Sequence, residues 1–188
     1  MKKLEVDLSP EQVMSLLKEA KKDNVRDYLI FALQFYGECR IGQIVGNRDP
    51  RIPGMKPLET EDIREDSIIV DRKGPGRQKV PIPEWLLVEL REYVGSRKGR
   101  VFDVGADASR LNIRKYAKAA GIPDWKRVHP HRLKWAVARY LKKLGYDPFT
   151  IQDMLQHKSP ITTKRYVGTI DHEERVEITR KLGELKLA

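Results

Sequence analysis

The stretch Tyr28-Leu29-Ile30-Phe31-Ala32-Leu33 is apolar without a break, inside a helical segment running from about Asn24 to Tyr36. A helix that is apolar all round cannot lie on a surface, so other elements must close over it. The sequence therefore predicts a central, buried helix with Gly37 as its stop. Before it, Ser9-Pro10-Glu11-Gln12 reads as a helix start, with Ser9 as N-cap, Pro10 at the first helical position and Gln12 completing a capping box. Val13, Leu16, Leu17 and Ala20 then recur at helical spacing. A loop rich in Gly, Pro and charge is expected from Gly46 to about Pro57. Ser67 to Val70 and Gln78 to Ile82 are short β-branched runs flanking Arg72-Lys73-Gly74-Pro75-Gly76-Arg77, the pattern of a hairpin. Further helices are expected over 84–94, 106–120 (closed by Gly121), 130–144 (closed by Gly145), 148–156 and 160–167. A last amphipathic helix follows Asp171, which forms a capping-box-like start with Glu174. With no internal repeat or low-complexity linker, the expected fold class is mainly α with a small antiparallel β-hairpin or sheet (α+β).

A chain of 188 residues, 40% hydrophobic and 34% charged, can bury a real core, which excludes wholesale disorder. Its one cysteine, Cys39, excludes an internal disulfide framework and a thiolate-clustered zinc site. No run approaches eighteen apolar residues, and the opening MKKLEVDLSPEQ turns acidic before a signal-peptide core could form. The chain is accordingly read as soluble and unexported. Its net charge is +10, and the distribution is more informative than the total. Between Arg110 and Arg165 fourteen basic residues face only Asp124, Asp147 and Asp153, a net +11, while the remainder carries −1. Tyr116, Trp125, Trp135 and Tyr140 interleave these charges, which fits a folded basic surface better than a basic tail. Such a surface points to a polyanion, with nucleic acid or an anionic membrane as candidates.

Four separated segments present an isolated cation or histidine beside apolar sequence: Arg40, Lys73, the cluster His129-Pro130-His131-Arg132-Leu133-Lys134, and Gln156-His157. Tyr166 follows nine residues after His157. Each residue alone has an ordinary structural explanation, as an ion-pair partner, a solvated turn lysine or a core tyrosine. Together they suit phosphoryl transfer. In-line displacement at a phosphodiester needs donors on the non-bridging oxygens, a proton donor for the leaving oxygen and a positioned nucleophile. Arg and Lys meet the first need, His moves protons near neutral pH, and Tyr can form a covalent phospho-enzyme.

The joint pattern resembles the catalytic domain of tyrosine recombinases, the integrase and Xer-like enzymes, over nearly the whole chain. LSPEQVMSLLKEA is similar to the segment that begins that domain. Phe35-Tyr36-Gly37-Glu38-Cys39-Arg40-Ile41 resembles the family's Thr-Gly-Leu-Arg-Ile stretch, with Arg40 on the first catalytic arginine. Lys73-Gly74-Pro75-Gly76-Arg77-Gln78-Lys79-Val80-Pro81 resembles the hairpin carrying the catalytic lysine, a role that falls on Lys73 and not Lys79. Pro130-His131-Arg132-Leu133-Lys134 resembles the Pro-His-x-Leu-Arg box, and the segment from Leu155 through His157 to Tyr166 resembles the Leu-Gly-His run ending in the nucleophile. Three positions depart from the family. Lys134 replaces the second arginine, a point charge where guanidinium offers a bidentate contact. Arg132 could reach in partly from its neighbouring position, and a shifted register from His129 to Arg132 also spells His-x-x-Arg, but it loses the Pro-His-x-Leu match and the spacing to His157 that Lys134 keeps. Gln156 replaces a glycine, and Gln43 an acidic residue.

The resemblance implies a tyrosine recombinase or type IB topoisomerase-like fold and metal-free, cofactor-free cleavage and rejoining of double-stranded DNA. Tyr166 would attack the scissile phosphate, giving a 3′-phosphotyrosyl link. Arg40, Lys134 and His157 would hold the non-bridging oxygens, His131 would assist proton transfer at the tyrosine, and Lys73 would protonate the leaving 5′-oxygen. Arg114, Lys115, Arg127, Arg132, Lys164 and Arg165 are the candidate DNA-contacting cations. The expected organisation is one catalytic domain over 1–188 without the family's N-terminal core-binding domain. Its tail from about 171 packs at home or on a neighbouring protomer. Homo-oligomers up to a tetramer on DNA, in a cytoplasmic, nucleoid-associated setting, follow from the same resemblance. Two further readings stand beside this one: a type IB topoisomerase-like relaxing enzyme, and a DNA-binding module weakened by Lys134. An RNA-binding domain has little support, for no aromatic strand signature or Gly-x-x-Gly clamp is present.

Overall fold

The computed structural model describes residues 7–46, 54–72, 76–155 and 172–185. Among them the chain forms α1 (Pro10–Asp23), α2 (Val25–Tyr36), α3 (Ile41–Val45), β1 (Ser67–Asp71), β2 (Arg77–Pro81), α4 (Glu84–Val94), α5 (Ala106–Ala119), α6 (His131–Lys143), α7 (Pro148–Met154) and α8 (His172–Gly183). Short 3₁₀ turns lie at Thr60–Asp62 and Trp125–Arg127. The mainly helical reading with one hairpin holds. The helix expected over 160–167 lies outside the described residues.

Helix α2 is buried from Asp27 to Tyr36 and touches α1, α3, α4, α5, α6 and α8. Its start is capped by Asn24, whose side chain accepts from the Asp27 amide, while the Asn24 amide closes α1 on the Ala20 carbonyl. The capping box of α1 is made as expected: Gln12 N–H donates to Ser9 Oγ at 3.2 Å and Ser9 N–H to Gln12 Oε1 at 2.9 Å. The one carboxylate buried at the head of α2, Asp27, is answered from α5. Asn112 donates to it at 2.7 Å and the Tyr116 hydroxyl at 3.0 Å, with Arg26 on its other oxygen.

The two strands pair antiparallel from Ser67↔Pro81 to Asp71↔Arg77. Beside the turn, the Arg77 guanidinium makes a bidentate pair with the buried Asp62, 2.7 Å on each arm, which raises the arginine above its ordinary range. Lys79 is engaged with Asp66 at 2.8 Å.

Within the chain, the tail helix α8 lies against α2 and β2. Ile178 and Leu182 are buried, Trp85 Nε1 donates to the Gly183 carbonyl at 3.0 Å, and the Tyr36 hydroxyl bonds the Leu185 carbonyl. A side chain at Gly183 would place its Cβ 2.9 Å from Pro83 Cβ, so this close seat requires glycine.

Tyr116→Phe is expected to lower stability by about 1–3 kcal/mol, because the buried Asp27 carboxylate loses one of its donors. Denaturant unfolding would check this as a lowered midpoint at unchanged slope.

Candidate active site

The site begins where α2 stops. The expected stop, Gly37, is not the left-handed residue of this turn: its φ is −96°, and Glu38 takes φ +54°. Gly37 is needed for another reason, since a Cβ there would fall 2.5 Å from Ile82 Cδ1 and 3.0 Å from the Leu33 carbonyl. The amides of Gly37 and Cys39 both turn back to that carbonyl. Cys39 is buried, which pushes its thiol up to about 12. Arg40, half-buried and extended, is the N-cap of α3. Burial lowers its guanidinium from the ordinary range.

Gln43 locks this arginine to the hairpin. Its Oε1 accepts from the Arg40 amide at 2.7 Å, and its Nε2 donates to the Asp71 carbonyl at 2.6 Å. Asp71 is the last residue of β1 and its carboxylate takes the Lys56 amide and Arg77 Nε at 2.8 and 3.2 Å. Gln43 thus has a structural use here, for its amide both accepts and donates where an ionised carboxylate could only accept.

Lys134 enters from the first turns of α6. It is 2% exposed, and its Nζ donates to the Glu38 carbonyl at 3.3 Å. Burial pulls its ammonium down to about 8. Glu38 and Cys39 oppose that fall, while Arg40 and Arg175 add to it. Burial in turn drives the Glu38 carboxyl upward against the pull of Arg175 and Lys134. Glu38 Oε2 is buried with no hydrogen-bond partner among the described residues. The Arg175 guanidinium, from α8, also donates to the Asp153 and Met154 carbonyls at 2.8 and 3.3 Å. It therefore caps the end of α7, just before Gln156-His157.

Arg132 and Lys134 are two helical positions apart, about 200° around the axis, and cannot share a face. Lys134 is the one that faces the end of α2, through the Glu38 carbonyl. Arg132 is buried with its guanidinium 5.7 Å from the Trp135 ring centroid. His131, three positions before Lys134 and so on its side of α6, is exposed. Its ring lies 6.4 Å from that of His129 and edge-on to Trp135 at 6.3 Å.

Of the expected catalytic residues, then, Arg40 and Lys134 meet in one charged cluster and His131 stands beside them. Lys73, His157 and Tyr166 lie outside the described residues, as do Lys164 and Arg165. Arg114 is exposed with Nε 3.4 Å from the Val128 carbonyl, and Lys115 is exposed and paired with Asp23 at 2.8 Å. Arg127 is half-buried in its 3₁₀ turn.

The profile of the phage integrase family matches residues 7–173. The chain belongs to that family. A tyrosine recombinase XerA of Pyrococcus furiosus is 29% identical over 201 residues, covering 98% of this chain and 65% of its own length. The chain thus spans just under two thirds of this relative. Among solved structures, an integrase from mycobacterium phage Brujita superposes with a TM-score of 0.72 at 19% identity, over 97% of this chain and 59% of that one. The XerH site-specific recombinase bound to its difH substrate, in a pre-cleavage complex, gives 0.64 at 17% identity, over 94% and 54%. These likenesses bear on the fold.

Three members of the cluster escaped the sequence reading: Glu38, Arg175 and the bridging role of Gln43. For Glu38 a signal existed, because aligning Thr-Gly-Leu-Arg on Arg40 puts the family glycine at this position. Arg175 carried none, being one of several charges on the tail.

Gln43→Glu is expected to destabilise the protein by about 1–3 kcal/mol at neutral pH, since a carboxylate faces the Asp71 carbonyl with no proton to donate. The penalty should shrink as pH falls and the new carboxyl gains its proton. Thermal unfolding at two pH values checks both parts.

Proposed function

We propose that this chain is the catalytic part of a site-specific recombinase that cleaves and rejoins double-stranded DNA through a 3′-phosphotyrosyl intermediate. The observation that carries the reading is the meeting of Arg40 and Lys134, ninety-four positions apart in sequence, in one buried cluster on a phage integrase-family fold. Two fixed cations at such a site suit the non-bridging oxygens of a phosphodiester, where they stabilise the charge that develops on in-line attack. His131 lies three positions before Lys134 on the same side of α6, and imidazole is a side chain suited to moving a proton.

In this mechanism the Tyr166 oxygen bonds to phosphorus as the bond to the 5′-oxygen breaks. Lys73 gives a proton to that leaving oxygen, His131 assists loss of the tyrosine proton, and His157 joins Arg40 and Lys134 on the phosphate. Attack by the 5′-hydroxyl of another strand reverses the step and releases Tyr166. The bond energy is held in the phosphotyrosyl ester, so the cycle consumes no nucleotide. Arg114, Lys115, Arg127, Lys164 and Arg165 contact flanking phosphates, giving salt-dependent affinity with little sequence preference. Exchange between two duplexes needs more than one active site, so protomers assemble on DNA, up to a tetramer. The working place of such a protein is the nucleoid. A relative named as a recombinase and the DNA complex of XerH support this reading over supercoil relaxation.

On a nicked suicide duplex carrying the cognate site, the protein should form an adduct that survives detergent. Tyr166→Phe should form none. Lys134→Ala should slow adduct formation by about 10²-fold or more, the scale expected for losing one preorganised donor on a developing oxyanion. An adduct unaffected by Tyr166→Phe overturns the assignment.

A further inference from the structure

Glu38 carries two costs that a glycine would not. Its backbone is left-handed at φ +54°, a conformation that L-residues other than Gly, Asn and Asp seldom adopt. Its carboxyl is also out of water, 2% exposed, with Oε2 lacking any hydrogen-bond partner among the described residues. What faces that carboxyl is cationic: Lys134 from α6 and Arg175 from α8. Lys134 itself faces Glu38, Cys39 and Arg40 from the α2–α3 turn, and Arg175 from α8. Two cations thus face one buried carboxylate, and Arg40 adds a further positive charge beside Lys134.

The choice of lysine makes this carboxylate matter. A guanidinium stays charged in such a place without help, because it does not give up its proton at any ordinary pH. An ammonium does not, and burial between two guanidinium groups favours the neutral amine. Neutral Lys134 would have no charge to offer a phosphate.

We propose that Glu38 is a positioning residue, the resident counter-ion that keeps the Lys134 ammonium charged and held beside Arg40 for the scissile phosphate. The carbonyl of the same residue accepts from Lys134 Nζ, so backbone and side chain of Glu38 act on one ammonium. Arg175 is the second cation acting on this carboxylate, so an arriving phosphodiester still meets a net positive cluster. The proposal rests on the reading of Lys134 as a phosphate-binding cation.

The test separates the two. In the full chain labelled with ¹³C,¹⁵N-lysine and free of DNA, the Lys134 side-chain resonance is assigned by its loss in Lys134→Arg and titrated by NMR. Glu38→Gln removes the carboxylate, so the Lys134 midpoint should fall by about 1–3 pH units, the range for losing an adjacent opposite charge. Glu38→Gly, which also relieves the backbone, should give the same fall in a protein at least as stable as the parent. Glu38→Asp should keep most of the original midpoint. An unmoved midpoint in folded Glu38→Gln and Glu38→Gly overturns the proposal.

On the nicked duplex, the alkaline limb of adduct formation should move down by the same interval in Glu38→Gln. In a Lys134→Arg background, Glu38→Gln should not move that limb, because arginine needs no counter-ion. An equal limb shift in that background also overturns the proposal, since a merely structural role of Glu38 would act in either. If the parent forms no adduct at any pH, the recombinase reading fails, and the lysine titration alone still decides whether Glu38 sets the charge of Lys134.

Discussion

Helix α2 is buried from Asp27 to Tyr36, and six other helices close over it. Each of its large side chains gains about 1.5–3 kcal/mol on leaving water, so no arrangement that exposes one flank of the helix competes. Burying the whole helix also buries its end, and that end becomes the floor of the site. Peptide groups there cannot turn to solvent and must find partners inside. The amides of Gly37 and Cys39 return to the Leu33 carbonyl, and the Glu38 carbonyl takes the Lys134 ammonium. The contact that brings a lysine to the pocket is thus also the answer to an orphan carbonyl at the end of the core helix.

That geometry imposes an electrostatic problem. Charges removed from water are stable only in company, and pairing recovers the loss only when the geometry is good. Here the company is assembled from the α2–α3 turn, α6 and α8. The tail helix supplies Arg175, which faces Glu38 and also caps α7. One guanidinium therefore ties the charge balance of the pocket to the seat of the helix that leads into the segment with His157. The tail contributes to the site as well as to the core, through Ile178 and Leu182.

Elements that depend on local pattern were legible in the sequence. The Ser9–Gln12 capping box, the apolar run of α2, the hairpin and the helix over 84–94 all appear where spacing put them. Features set by tertiary contact were not. The five-residue α3 has no periodicity of its own and stands because Gln43 ties Arg40 to Asp71. The choice between Lys134 and Arg132 turns on helix phase relative to a partner, which a motif cannot encode. Arg132 fitted a shifted register on paper, yet its side chain lies against Trp135. Gly37 does stop α2 as expected, but it also packs closely under Ile82, and the left-handed conformation of the turn falls on Glu38.

The same distinction between exposed and buried charge reshapes the +11 segment. Several of its cations already have partners: Lys115 with Asp23, Arg139 with Asp7, and Arg114 beside the Val128 carbonyl. Lys118 and Lys126 lie near the Trp125 ring, at 5.3 and 5.5 Å from its centroid. Exposed pairs of this kind are worth little in water and are screened by salt. A phosphate can therefore replace Asp23 or Asp7 at small cost, and these side chains remain available to a polyanion despite their partners. Lys134 differs in kind. The Glu38 backbone carbonyl that takes its ammonium is enclosed with it, and removing that acceptor would leave a buried charge unpaired. A phosphate reaching Lys134 must share it with Glu38 rather than displace it. On the proposed reading the outer cations would supply affinity by exchange and the inner ones a fixed field, so the net charge of the chain describes only the first of these.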